Sequence, residues 1–297
     1  MTESGAQAEQ VTDVYARVTR HIVDELERQG RLPWGGISAL PVNAATGKPY
    51  RGVNVLALWV TAARAGYQSP HWGTLRQWNE QGGRIRKGEK STTVVFWKNL
   101  SGDEGERGED SADAEESRPR FVARGYPVFN AAQVEGSGEE SPPEEYSLDG
   151  LGRAEAFASS LGADVRTGDG TPCYDKRGDY IRLPGPEHFR DGAARFAVLA
   201  HELTHWTGAA SRLARDLSGR FGSEAYAMEE LVAELGAAFL SATFGVTAEP
   251  RSDHARYVGS WLEVLKRDTR AVFAAASKAQ AAADWMLGKT QALAAAA

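Results

Sequence analysis

The chain has 297 residues, 42% of them hydrophobic and 25% charged, the composition of a soluble globular protein longer than one average domain. Its net charge of −6 is unevenly spread: Lys and Arg number 13 against 8 Asp and Glu over residues 1–100, 4 against 13 over 101–148, and 17 against 19 over 149–297. The lone Cys173 excludes an intramolecular disulfide, and neither a basic leader with an apolar core nor an apolar run of about 18 residues occurs. Export and membrane spanning are therefore not expected, and a cytoplasmic location fits.

A first domain is expected over residues 8–135. Val11, Val14, Tyr15, Val18, Ile22, Val23 and Leu26 recur at helical spacing before Gly30. The turn-rich segment Asn43–Asn54 reads as a structured loop, followed by a helix over Val55–Ala65 that Gly66 closes and a short one over Thr74–Gln81. Ser91–Lys98 alternates as a strand, with a partner at Arg120–Phe129. Between them, residues 101–118 hold eight acidic residues against Arg107 and Arg118 and no large apolar residue, the mark of a solvated, mostly disordered insertion. Arg84, Arg86, Lys87, Lys90 and Lys98 lie beside Trp72, Trp78, Phe96 and Trp97. Cations neutralise phosphates while exposed rings stack on unpaired bases, so the mixture suits single-stranded nucleic acid. Composition and spacing alone favour buried tryptophans and solvated charges.

Residues 136–147 have the composition of a charged linker, and a second domain is expected over 148–297. A helix over Gly150–Leu161 and a strand from Ala163 lead to a hairpin turning at Lys176–Gly178, whose Asp179–Leu183 arm is a candidate sheet edge for an extended peptide. The most informative stretch is His201-Glu202-Leu203-Thr204-His205, on a helix expected from Ala193 to Thr207. Two imidazoles four apart share one helix face and suit zinc, with the intervening Glu202 placed as general base on a water at the metal.

A catalytic zinc needs a third protein ligand and an open position. On a helix expected from Ser223 to Phe244, Glu230 and Glu234 sit four apart among Ala227, Ala237 and Ala238. Glu230 is assigned to the metal and Glu234 to the ring N–H of a ligating histidine, with the reverse as the alternative, and Glu229 is read as solvated. The pair also resembles the thermolysin-type arrangement. Zn²⁺ is the expected ion, with Mn²⁺ or Co²⁺ as alternatives for such donors. Tyr226 and His254 are candidate donors to a tetrahedral intermediate, whereas Tyr257 is read as structural. Alanine-rich helices fill the rest, anchored by Trp261, Leu265, Phe273, Trp285 and Met286.

Pro33-Trp34, the segment Asn43 to Asn54, Trp59, Gly66-Tyr67, Gly82-Gly83 through Lys90, and Tyr126-Pro127-Val128-Phe129-Asn130 with Gln133 resemble the N-terminal domain of the ArdC-type antirestriction family. The likeness continues through Ser260–Lys266 and Ala274–Asp284. It implies a two-domain α+β protein: a single-stranded DNA-binding domain followed by a mostly helical, zincin-like metallopeptidase domain with a small sheet. Trp34, Lys48, Arg51, Arg84, Arg86, Lys87, Lys90, Trp97 and Lys98 become the DNA-binding candidates. The implied role is protection of incoming mobile DNA, with a protein of restriction or host defence as substrate. Two alternatives are a DNA-binding protein whose metal is structural and idle, and a DNA-localised regulatory metalloprotease.

Overall fold

Val14, Val18, Ile22, Val23 and Leu26 form a single buried stripe, and the helix that carries it, α1, runs Glu3–Gln29. The structure, a computed structural model, describes residues 3–30, 37, 39–99, 121–136, 148–220, 222–247 and 255–296. Trp34, His254, the expected insertion at 101–118 and all of the expected linker but Gly136 lie outside the described residues. Helix α2 (Val53–Ala65) is buried from Val53 through Val60 and ends where Gly66 takes a left-handed φ of 73°. The short α3 (Leu75–Glu80) is held by a capping box between Thr74 and Gln77.

Strands β1 (Val42–Asn43), β2 (His71–Gly73), β4 (Thr92–Asn99) and β5 (Phe121–Asn130) form one sheet in the order β1-β2-β5-β4. β3 (Arg84–Ile85) pairs with β6 (Val134–Glu135). The outer strand β4 is covered by α2, whose Asn54 carboxamide satisfies both the N–H and the C=O of Val95, at 2.7 and 2.8 Å. Those two bonds occupy the pairing groups of Val95 on the open side of the strand, where an edge is otherwise adhesive. Trp72 and Trp78 are core residues, 1% and 2% exposed, so they leave the set of rings available for stacking.

The second half comprises α4 (Leu148–Ser160), β7 (Asp164–Thr167), β8 (Cys173–Asp175), β9 (Tyr180–Leu183), α5 (Gly192–Trp206), α6 (Glu224–Phe244), α7 (Ala255–Arg267) and α8 (Ala271–Ala296). The hairpin is present, but the three strands lie in the order β7-β9-β8, so β9 is central. The expectation that Asp179–Leu183 is a sheet edge is therefore wrong; β7 and β8 are the outer strands, because they occupy the two sides of β9. Asp191 caps α5 through the Ala194 N–H, and Ser223 caps α6 through Tyr226. At Gly236 any side chain would collide with Thr204 of α5, its Cβ falling 2.6 Å from the Thr204 methyl, which makes glycine the condition for the close approach of α6 to α5.

One continuous apolar core joins both halves, with Trp59 of α2 against Phe239 of α6 and Tyr15 of α1 edge-on to Phe273 of α8 at 4.5 Å. Polar ties follow the same seam: Thr19 donates to the Thr269 carbonyl at 2.6 Å, and the Gly52 N–H to Gln280 at 3.0 Å. Among the described residues, no helix is long and apolar enough to cross a membrane.

Candidate metal centre

The α5–α6 contact brings the two imidazoles onto the carboxylates of α6. His201 and His205 face each other with Nε2 atoms 3.1 Å apart, and the Glu230 oxygens lie 3.6 Å from each of those nitrogens. Glu234 instead sits behind His201, its Oε1 2.9 Å from Nδ1. Donor atoms of His201, His205 and Glu230 all fall within 4.8 Å of one another. Two imidazole nitrogens and a carboxylate converging in so buried a place suit a divalent cation.

Glu229 does not point to solvent, as its rotation from Glu230 had suggested; its side chain is only 12% exposed. Its Oε1 lies 3.2 Å from Nδ1 of His205, and Arg215 grips the carboxylate with Nε at 3.2 Å and Nη2 at 2.9 Å. Arg215 comes from the loop between α5 and α6, and no local pattern flags a pairing fourteen residues long. Burial would raise Glu229, but His205 and Arg215 outweigh it and hold the carboxyl below its ordinary range. Glu230 is lowered likewise, burial being overcome by His201, His205 and a hydrogen bond from Tyr226.

Burial pushes His201 down, yet Glu234 and then Glu230 reverse the balance and hold its imidazole well above 6.5. A folded pKa above the unfolded one means that this group stabilises the metal-free fold below about pH 6.5 and loses that contribution as pH rises through the folded value. A cation must displace the proton. Apparent metal affinity is therefore expected to climb by about tenfold per pH unit for one released proton, while the metal-free melting temperature falls on the alkaline side. Calorimetric titration in buffers of different ionisation enthalpy counts the protons; uptake without release would contradict this reading.

The histidines open onto a cleft of about 530 Å³, walled by Thr171–Arg177 of the hairpin, by Asp216, Leu217 and Gly219 of the α5–α6 loop, and by Tyr226. Glu202, 4% exposed, lines it beside the histidines. Tyr226 borders the cleft and hydrogen-bonds Glu230, while His254 lies outside the described residues.

The DNA-binding candidates are scattered over several elements. Lys48 is exposed in the turn that Asn43 organises, and Arg84, Arg86, Lys87 and Lys90 are exposed around β3. Arg51 is committed to an ion pair with Asp284 of α8. Trp97 is 47% exposed and packs beside Phe273, whereas Lys98 lies on β4 with its side chain outside the described residues. Phe96, one of the rings the sequence placed beside the basic residues, and Tyr126, which the sequence did not single out for stacking, meet edge-to-face at 5.6 Å while remaining 50% and 39% exposed. Arg124 is paired with Phe96 across β4 and β5 and is also exposed. Alternation alone did not show it, because Phe96 and Tyr126 share their face with the buried Thr92, Val94 and Val128.

Fold and site together define a two-domain α+β protein whose second half is zincin-like. Residues 152–278 match the family of zincin-like metallopeptidases, and residues 12–129 match the N-terminal domain of anti-restriction factor ArdC. The chain belongs to the ArdC antirestriction family. It is 39% identical to the crystallised antirestriction ArdC protein of plasmid R388, with a TM-score of 0.77 to the metal-free form over 94% of this chain and 98% of that one. The Mn(II)-bound form of that protein superposes with a TM-score of 0.72, over 93% and 97%. Protein y4eC of Sinorhizobium fredii (strain NBRC 101917 / NGR234) is 47% identical over 281 residues, covering 93% of this chain and 92% of that protein. DNA primase TraC of Escherichia coli is 33% identical over an alignment of 304 positions that spans 93% of this chain but 27% of TraC.

Proposed function

We propose that this protein acts in the cytoplasm as a zinc-dependent peptidase tethered to single-stranded DNA, protecting incoming mobile DNA from restriction. The observation that carries the enzymatic half is the convergence of His201, His205 and Glu230 with a carboxylate behind each ring, in a cleft that Glu202 also lines. His201, His205 and Glu230 would hold Zn²⁺, and Mn²⁺ is supported as a substitute by the R388 relative. Once bound, the ion supplies Lewis acidity to a water and to a peptide carbonyl. Glu202 is the base that takes the water's proton and returns it to the leaving nitrogen. Tyr226, at the cleft wall, would donate to the reacting carbonyl oxygen, with Glu230 holding its hydroxyl until substrate arrives. An extended substrate would add to the outer strand β8, whose Cys173–Asp175 border the cleft.

Phe96, Tyr126 and Trp97 give the first half exposed rings for base stacking, and Arg84, Arg86, Lys87, Lys90 and Lys48 the cations for phosphates. Binding would concentrate the peptidase near proteins acting on the same strand. Filter binding is expected to favour single strands over duplex, with affinity falling as salt is raised. Zinc-loaded protein is expected to cleave an unstructured protein substrate, and chelator to stop it. Equal affinity for both DNA forms, or cleavage that survives chelation, would count against the respective half.

A further inference from the structure

The reaction just described assigns no step to Glu229, Arg215 or the loop they join, yet Glu229 touches one of its metal-facing histidines. We infer that Arg215 and Glu229 are positioning residues for His205, and that through them the α5–α6 loop walling the cleft is coupled to metal occupancy. This rests on the metal-site reading above.

The geometry has one path. Oε1 of Glu229 is shared between Nδ1 of His205 and Nη2 of Arg215, at 3.2 and 2.9 Å. A carboxylate at Nδ1 keeps the proton there, so Nε2 presents its lone pair to a cation and the ring plane is set. Glu234 stands at the corresponding place behind His201, its Oε1 2.9 Å from Nδ1, which leaves Glu229 to serve the second ring. Without Arg215 the buried Glu229 would lack a counter-charge and would not remain an acceptor at so small a cost. Arg215 is itself fixed, its side chain 6% exposed, with Nη1 donating to the Thr207 hydroxyl at 2.8 Å and Nη2 to the Thr204 carbonyl at 2.6 Å.

Arg215 therefore reads two things at once: the C-terminal end of the motif helix and the carboxylate behind His205. The loop around it is held under constraint, since Ala214, the residue before it, adopts a φ of +48°, in the left-handed region that disfavours a non-glycine residue. Asp216, Leu217 and Gly219 follow directly and line the cleft. Any displacement of the His205 ring is transmitted to that wall through Glu229 and Arg215, and ordering of the wall favours the ligating ring orientation by the same linkage.

The test uses the full chain with Zn²⁺ alone as ligand. Replacing both charges, Arg215→Met with Glu229→Met, removes the ion pair without stranding either partner, and Glu229→Gln keeps an acceptor for Nδ1–H but loses the charge. Zinc affinity is read by competition with a chromophoric chelator, and site geometry by the visible spectrum after Co²⁺ substitution. The double variant is expected to melt near wild type without metal, to lose about 10- to 100-fold in zinc affinity, and to show an altered Co²⁺ band; Glu229→Gln should fall between. Trypsin, cutting after Arg212 and Arg220, should be slowed by zinc in wild type and not in the double variant. A merely structural role would lower both melting temperatures while leaving affinity and spectrum unchanged. Wild-type zinc affinity in the double variant, or in Glu229→Gln should the double variant fail to fold, overturns the positioning role. Equal tryptic cleavage of wild type with and without zinc overturns the coupling, and failure of wild type to take up zinc overturns the metal reading itself.

Discussion

Replacing Glu202 with Gln is expected to leave zinc uptake and thermal unfolding unchanged and to lower zinc-dependent peptide hydrolysis by about 10²- to 10⁴-fold, the usual worth of a positioned general base. The reasoning is geometric. Glu202 follows His201 by one residue and is thus rotated about 100° around α5, out of the cluster formed by His201, His205 and Glu230. It nevertheless lines the same cleft and is almost fully buried. The amide has the shape of the carboxyl but accepts no proton at neutral pH, so packing persists and proton transfer does not. Hydrolysis by the variant at the wild-type rate would remove Glu202 from the mechanism. Antirestriction measured in the same variant then separates two biological roles: loss ties protection to proteolysis, and full retention means that DNA binding protects by itself.

Truncating the exposed aromatic pair should have the next largest effect. Phe96→Ala and Tyr126→Ala are each expected to weaken single-stranded DNA binding by about 5- to 150-fold, from roughly 1 to 3 kcal/mol of base stacking per ring. Both rings are already half in water, so stability should change little, in contrast to the buried Trp72 and Trp78. Salt dependence offers an internal control. Removing a ring breaks no phosphate contact, so the slope of log affinity against log salt should stay as in wild type, whereas Arg124→Ala should flatten it by about one unit. An unchanged affinity for single strands in the double aromatic variant would move the DNA face elsewhere on the first half.

Much of the architecture was legible locally. The stripes of α1 and α5, the caps at Thr74, Asp191 and Ser223, and the glycine stops at Gly66 and Gly245 each depend on residues within a turn or two of one another. The four-residue spacing of His201 and His205 is of the same kind, since helix geometry alone places the rings together. Glu229 was misread for the opposite reason. Its neighbours on α6 are buried nearly all round, so the helix carries little amphipathic signal, and its partner Arg215 arrives from a loop. The strand order failed similarly: a hairpin is a local object, but whether its second arm is an edge depends on β7, which pairs in parallel from outside the hairpin.

The sequence by itself determined the long helices, the paired strands β4 and β5 and the histidine pair with its adjacent glutamate, because each follows from periodicity and spacing along one segment, while the α+β class came with the family resemblance. Only the tertiary structure decided which carboxylate faces both Nε2 atoms, which residues stand behind each ring, which strand is outermost and which aromatic rings meet water. Those are relations between segments brought together by a shared core. The approach of α6 to α5 that Gly236 permits fixes the first two, and the register of long-range strand pairs fixes the others.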